Sequence, residues 1–197
     1  MNTLAHMLSH FPYQLILGSA SPRRQELLKG LGFAFTVQAT HADETFPADL
    51  QAQDIPLYLA RVKSQAFPRA LQDQELLITS DTVVWCKNKI YNKPTDEADA
   101  LRMLSELGGQ MHEVFTAVCL RSATKEVLFY DRAAVYFKPF TEEEILYYLR
   151  TCQPYDKAGS YGVQDWLGYT GIEKIEGSFY TVMGLPVKLL YEELLRF

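Results

Sequence analysis

Gln14-Leu15-Ile16-Leu17-Gly18-Ser19-Ala20-Ser21-Pro22-Arg23-Arg24 is the run on which the reading of this chain turns. Its first part, QLILG (14–18), is apolar and β-prone, and it stops at three small residues. Pro22 then opens an apolar-periodic stretch that reaches Gly30 and Gly32. The run reads as strand, loop and helix, with Ser21 as N-cap and Pro22 at the first helical position, where a missing N–H costs nothing. Outward from this unit, a short strand is predicted over 34–38, an acidic loop around HADE (41–44), and a helix over 54–67 that Pro68 would end. An apolar strand over 76–85 follows, interrupted at Ser80-Asp81-Thr82, and a short strand at 89–91 pairs with its end. Thr95 is expected to cap a helix with Asp96 and Glu97 in its first turn, and Gly108-Gly109 to end it. Strands are expected over 113–121 and 125–137, and Thr141-x-x-Glu144 forms a capping box for a helix to about Leu149. A polar loop (151–168), a strand (170–175) and a C-terminal helix from Pro186 complete the chain. Strands and helices alternate without a strict βαβ rhythm, so the expected fold is α/β, with a mixed, twisted central sheet flanked by helices.

The 197 residues suit one domain and can bury a sizeable core. Nineteen Lys+Arg against 24 Asp+Glu give a formal charge of −5, which offers no global attraction for nucleic acid or an acidic membrane. Any anion must be captured by a local site. Cys86, Cys119 and Cys152 form no CxxC pair and no even set, which fits reduced thiols in a cytoplasmic protein. The start has no basic n-region or signal-length apolar run, and no stretch is long enough to span a bilayer. Leu4, Met7, Leu8 and Phe11 fall at helical spacing, so the first ten residues are read as a short amphipathic helix.

Three constellations carry chemistry. At Ser19 to Arg24, hydroxyls, free backbone N–H groups and two guanidinium groups gather where a strand hands over to a helix, which suits a phosphate chain. Two arginines in a first turn oppose the helix dipole, and that cost points to an anionic ligand. Asp81 sits inside an apolar strand, where a carboxylate is expensive unless paired or bound to a cation. With Asp43 and Glu44 it could hold Mg²⁺ or Mn²⁺ through oxygen ligands. Lys63, Lys93 and Lys157 are candidate phosphate partners. His112 is read as a structural histidine, since no zinc-type spacing surrounds it. No GxSxG, Walker A or GxGxxG occurs, which argues against serine hydrolases, P-loop ATPases and dinucleotide enzymes.

SASPRR (19–24), SDTVV (80–84), NKPTD (92–96), GGQMHEVFTAV (108–118), DKAGSYGVQ (156–164) and IEGSFYTVMGLP (175–186) together resemble the ordered motif set of Maf proteins, from Leu15 to the end. The resemblance implies one domain over 1–197 with a short extension (1–12), and a Maf/ITPase-like fold, elongated, with a cleft between two lobes. It further implies a cytoplasmic nucleoside triphosphate pyrophosphatase, a homodimer, in which metal-assisted attack of water yields the monophosphate and pyrophosphate. By position in the motifs, Asp81 is the proton acceptor, and Glu44 with Asp81 the metal ligands. Ser19, Arg23, Arg24, Glu44, Lys63 and Lys93 fall where the family places phosphate- and metal-site groups, and Arg24, Thr82 and Gln164 at specificity positions. DKAG-x-YG-x-Q resembles the branch preferring dTTP and UTP. The alternatives are a modified or purine nucleotide as substrate, or a nucleotide-binding regulator of septum formation. Ser80 stands where the family usually has alanine.

Overall fold

The computed structural model describes Leu8 and residues 11–197, so the helix expected over the first ten residues falls outside the described part except for Leu8. The elements are β1 (Gln14–Leu17), α1 (Pro22–Gly30), β2 (Phe35–Val37), α2 (Asp54–Gln65), β3 (Glu75–Cys86), β4 (Lys89–Tyr91), α3 (Glu97–Leu107), β5 (Met111–Arg121), β6 (Glu126–Phe137), α4 (Glu142–Cys152), a single 3₁₀ turn (Ala158–Ser160), α5 (Trp166–Gly171), β7 (Ile172–Glu176), α6 (Phe179–Met183) and α7 (Val187–Arg196). They build a seven-stranded sheet in the order β2-β1-β3-β5-β6-β7, with β4 paired to β3. β1 runs parallel to both β2 and β3, whereas β4 and β7 pair antiparallel to β3 and β6. The sheet is therefore mixed, as the irregular alternation of elements predicts.

The chain divides into two compact units, and β3, β5 and β6 each contribute residues to both. The first unit comprises residues 1–81, 116–131 and 184–197. Leu15, Leu17, Leu76 and Ile78 point from β1 and β3 into one core with Val118, Leu120, Leu28 and Leu190, while Ile16 and Leu77 face the other way against Phe67 and Leu71. Period-2 alternation explains the split, and burial on both faces explains why these strands are apolar throughout. Ala60 of α2 packs on Ala117 and Cys119 of β5. The second unit comprises residues 82–115 and 132–183. Leu104 and Leu107 of α3, Ile145, Tyr148 and Leu149 of α4, and Tyr161 and Leu167 close on Val84, Val135 and Phe137.

Local signals behave as their chemistry requires, with four corrections. Ser21 caps α1 by accepting from the Arg24 N–H, and Thr141 with Glu144 forms both halves of the capping box of α4. The cap of α3 is Asp96 rather than Thr95; its carboxylate accepts from the Asp99 N–H, a better acceptor than a hydroxyl in that place. β3 runs unbroken through Ser80-Asp81-Thr82, because each polar group there finds a partner. The loop of 151–168 contains the 3₁₀ turn and the start of α5, and α6 stands where no element was expected. His112 is only half satisfied. Its Nε2 pairs with the Tyr161 hydroxyl at 2.7 Å, but Nδ1 has no hydrogen-bond partner. Cys86 and Cys119 are buried free thiols and Cys152 is a partly buried one.

Candidate active site

Asp81 is the centre of the site in the first unit. It is 6% exposed, and its carboxylate lies 2.5 Å from the ammonium of Lys63, which reaches over from the last turn of α2. Glu44, from the acidic loop after β2, meets the same ammonium at 3.0 Å. Two carboxylates from segments far apart in sequence thus converge on one cationic position. Burial pushes the Asp81 carboxyl above the ordinary aspartate range; the charges of Lys63 and Arg24 pull it back, and Glu44 pushes it up again. A carboxylate with raised proton affinity, held ready by a neighbouring cation, is suited to accept a proton.

Arg24 is the second arm. Its Nε donates to the Gly184 carbonyl at 2.9 Å, one Nη donates to the Ser80 carbonyl at 2.8 Å, and the same Nη approaches Ser19 Oγ at 3.5 Å. The side chain ties the start of α1 to β3 and to the segment before α7. Burial lowers its pKa, offset by Asp81 and Glu44, although a guanidinium keeps its charge in any protein setting. Ser80 supplies the carbonyl and also directs its hydroxyl at Gly184 O at 3.5 Å, so the departure from the family's alanine is accommodated within the same contact. Ser19 Oγ accepts from the Ser21 N–H at 3.3 Å, which shapes the loop ahead of α1. Arg23, partly buried beside Arg24, adds positive charge to the same turn.

Thr82, Lys93, Lys157 and Gln164 belong to the second unit. Lys93 is exposed, in the turn after β4. Lys157 is almost wholly covered, 2.9 Å from Asp156 and 3.6 Å from Asp165. The loop that follows is held tightly. Gly159 donates to Asn92 O at 3.1 Å and lies against Val84 with φ +68, where a Cβ would come within 3.0 Å of that side chain. Ser160 keeps a left-handed backbone (φ +59), unusual for a residue with a Cβ. The Tyr148 hydroxyl accepts from the Gly162 N–H at 3.0 Å and donates to Asp165 at 3.1 Å. Among the described residues, the buried side-chain atoms without a hydrogen-bond partner are Gln164 Oε1, Ser160 Oγ and His112 Nδ1, all in this unit.

Sequence reasoning singles out Glu44, Lys63 and Asp81, and the structure joins them. It misses Arg121, whose guanidinium bonds Ser64 at the end of α2. The two lie 57 residues apart, so no local pattern could link them. Thr79 was legible in principle as a polar residue in an apolar strand. Among the described residues, no group of three or more His, Cys, Asp and Glu gathers as a metal cluster. The pair Glu44 and Asp81 nevertheless fits a divalent ion: two hard carboxylate oxygens already share one cationic partner, and Mg²⁺ commonly takes one or two carboxylates and fills the rest with water and phosphate.

The mixed sheet with a buried carboxylate, a bridging lysine and a carbonyl-anchored arginine defines an α/β protein with a charge-compensated polar centre. The sequence matches the family described as Maf-like protein over residues 14–197, and the chain belongs to that family. It is 48% identical to a protein of Bacteroides thetaiotaomicron over 183 residues, covering 92% of this chain and 95% of that one. It is 47% identical to one of Parabacteroides distasonis over 94% of this chain and 96% of that one, and 49% identical to one of Porphyromonas gingivalis over 92% and 93%. All three carry the name dTTP/UTP pyrophosphatase. The Ham1 protein of Staphylococcus aureus aligns at a TM-score of 0.41 with 11% identity, covering 63% of this chain and 71% of that chain.

Proposed function

We propose that this chain is a nucleoside triphosphate pyrophosphatase acting on dTTP and UTP, releasing the monophosphate and pyrophosphate. The observation that carries the reading is Asp81, a buried carboxylate kept beside Lys63 with its proton affinity raised by burial. The names of relatives near half identity across almost the whole chain agree with it.

On this reading Asp81 orients the attacking water and takes its proton. Lys63 holds the Asp81 carboxylate in one orientation and offers positive charge where the phosphates gain negative charge. Arg24 is fixed by the Ser80 and Gly184 carbonyls, so a phosphate meets an already oriented fork rather than a flexible arm. Arg23, Ser19, Lys93 and Lys157 are proposed as further phosphate partners. In the second unit Gln164 and Thr82 are proposed to recognise the base. Glu44 and Asp81 would hold Mg²⁺ or Mn²⁺, which supplies charge neutralisation on the phosphate oxygens when bound. No covalent intermediate is needed, and no side chain is placed here as a nucleophile. A cytoplasmic setting belongs to the same reading: the three cysteines are unpaired, and no helix among the described residues is long and apolar enough to cross a membrane.

Pyrophosphate release from dTTP, measured with and without Mg²⁺ in the parent and in Asp81→Asn, tests this. Release by the parent that needs Mg²⁺ and Asp81 is expected. Nucleotide binding with no release under any condition would instead make the chain a nucleotide-binding regulator.

A further inference from the structure

Lys63 meets Asp81 across two elements, a helix and a strand, and the contact is only as good as the placement of one on the other. Two hydrogen bonds set that placement. From β3, Thr79 Oγ1 donates to the Ala60 carbonyl of α2 at 2.7 Å, with both residues fully buried. Thr79 lies two residues before Asp81, so both side chains leave the same face of the strand. Ala60 lies three residues before Lys63, one turn earlier on the same side of the helix. Thr79 to Ala60 and Asp81 to Lys63 are therefore consecutive rungs between β3 and α2.

The second bond comes from β5. Arg121, its last residue, donates through Nε to Ser64 Oγ at 2.7 Å and through Nη2 to the Ser64 carbonyl. That carbonyl belongs to the final turn of α2, where helical partners run out; its backbone contacts come from Phe67 N–H at 3.3 Å and from the C-cap Ala66 N–H, which it shares with Val62. A guanidinium there also complements the negative end of the helix dipole. Between the two bonds, Ala60 rests on Ala117 and Cys119, small side chains that let α2 approach β5 closely. Lys63 itself is largely covered, 13% exposed at its side chain, so its stem cannot re-extend freely if the helix shifts.

We propose that Thr79 and Arg121 are positioning residues that fix the rotation and height of the last turn of α2, so that Lys63 holds the Asp81 carboxylate in its working orientation. The inference rests on the reading of Asp81 as the group acting on water. Their loss acts on turnover more than on binding, because Thr79 and Arg121 bond to the backbone and side chain of α2 and act only through Lys63 and Asp81.

The test compares Thr79→Val, which keeps shape and loses the hydroxyl, with Thr79→Ser, which keeps the hydroxyl, and with Arg121→Gln. Each is assayed for kcat, KM for dTTP and Tm, in the parent and in an Asp81→Asn background. Thr79→Val should lower kcat about tenfold with KM within about twofold, the scale of a sub-ångström misplacement. Thr79→Ser should recover most of kcat even where its missing methyl lowers Tm. Arg121→Gln, at a partly exposed strand end, should lower kcat several-fold and keeps the test open if Thr79→Val does not fold. In the Asp81→Asn background these losses should vanish, since residues acting through one group are not additive. Parent kcat in folded Thr79→Val and Arg121→Gln, equal loss in Thr79→Val and Thr79→Ser, or full additivity with Asp81→Asn would each overturn the proposal. If Asp81→Asn itself keeps parent turnover, the reading of Asp81 falls; if it is inactive while Thr79→Val and Arg121→Gln are not impaired, only the positioning role falls.

Discussion

Polar groups are handled in opposite ways in the two units. In the first, the site's charged groups have partners: buried Asp81 and exposed Glu44 on Lys63, and Arg24 on two backbone carbonyls. In the second, the loop of residues 157–164 keeps a serine in a left-handed conformation and leaves Gln164 Oε1 and Ser160 Oγ buried without partners. A paired cluster is rigid and ready to stabilise charge as it develops. A buried acceptor without a donor costs about 1–3 kcal/mol, and such a cost is repaid when a ligand supplies the donor. On the proposed reading, the difference assigns turnover to the first unit and the choice of nucleotide to the second.

The strongest way to break that division is at Asp81. Asp81→Asn should lower turnover by about 10² or more, as for loss of a general base, with Tm and nucleotide affinity close to parent. Turnover near parent in the folded variant would remove Asp81 from the chemistry. Arg24→Ala comes next. It should weaken dTTP more than the monophosphate product, since each charge-assisted bond to phosphate is worth about 1.5–3 kcal/mol. It should also lower Tm, because the side chain ties three segments together, a consequence that the sequence alone did not suggest. Lys93→Ala, on an exposed turn, should show the affinity difference without the Tm loss. Equal weakening of triphosphate and monophosphate in both variants would take these residues away from the polyphosphate chain.

Why Asp81 was legible and Arg121 was not follows from the kind of signal each leaves. A carboxylate in ELLITSDTVVW violates the apolar pattern around it, and buried charge is rare enough to demand a partner. The caps at Ser21 and Thr141 were legible because capping acts within four residues. The break expected in β3 did not occur, because its polar residues are compensated by Arg24, Lys63 and Ala60, all distant in sequence. Arg121 and the Gly184 carbonyl were invisible for the same reason. Their roles exist only once the sheet brings residues 24, 64, 80, 121 and 184 to their places.

Another prediction concerns pH and the second unit. His112 is fully buried, and burial pushes its pKa down to about 3 from the ordinary value near 6.5. The unfolded chain therefore takes up a proton below about pH 6.5 that the folded chain refuses until about 3. Stability is present at neutral pH and falls as pH drops through this window, by up to about 1.4 kcal/mol per unit. The carboxylates Glu75 and Glu106, held down at about 2 from an ordinary 4.5, add a loss of the same sign that grows toward pH 5, as the unfolded chain begins to protonate them. Denaturant unfolding across that range should thus show a steeper slope in the parent than in His112→Leu, the groups common to both contributing equally, whatever the absolute stability of the variant. An unchanged slope in His112→Leu would show that another group carries it.

The smallest expected effect is also the sharpest test of recognition by the second unit. Gln164 Oε1 is buried and unpartnered, while the amide can present one acceptor and two donors. Uracil and thymine offer an N3–H donor flanked by carbonyl acceptors, a pattern that such an amide can match through both its oxygen and its nitrogen. Cytosine offers an unprotonated N3 and an N4 amino group instead, so pairing the same amide edge against it leaves groups unsatisfied. A neutral hydrogen bond contributes about 0.5–1.5 kcal/mol, so Gln164→Ala should lower kcat/KM for dTTP and UTP by roughly three- to tenfold and for CTP by much less. The preference for dTTP and UTP over CTP should narrow, and thymine and uracil should fall together because they present the same N3–H and carbonyl edge and differ only by a methyl group. If dTTP, UTP, CTP and GTP all lose the same factor, Gln164 shapes its own loop beside Asp165 and reads no base. In that event the unpaired oxygen belongs to the same tightly held loop as the left-handed Gly159 and Ser160, and the choice of nucleotide is made elsewhere.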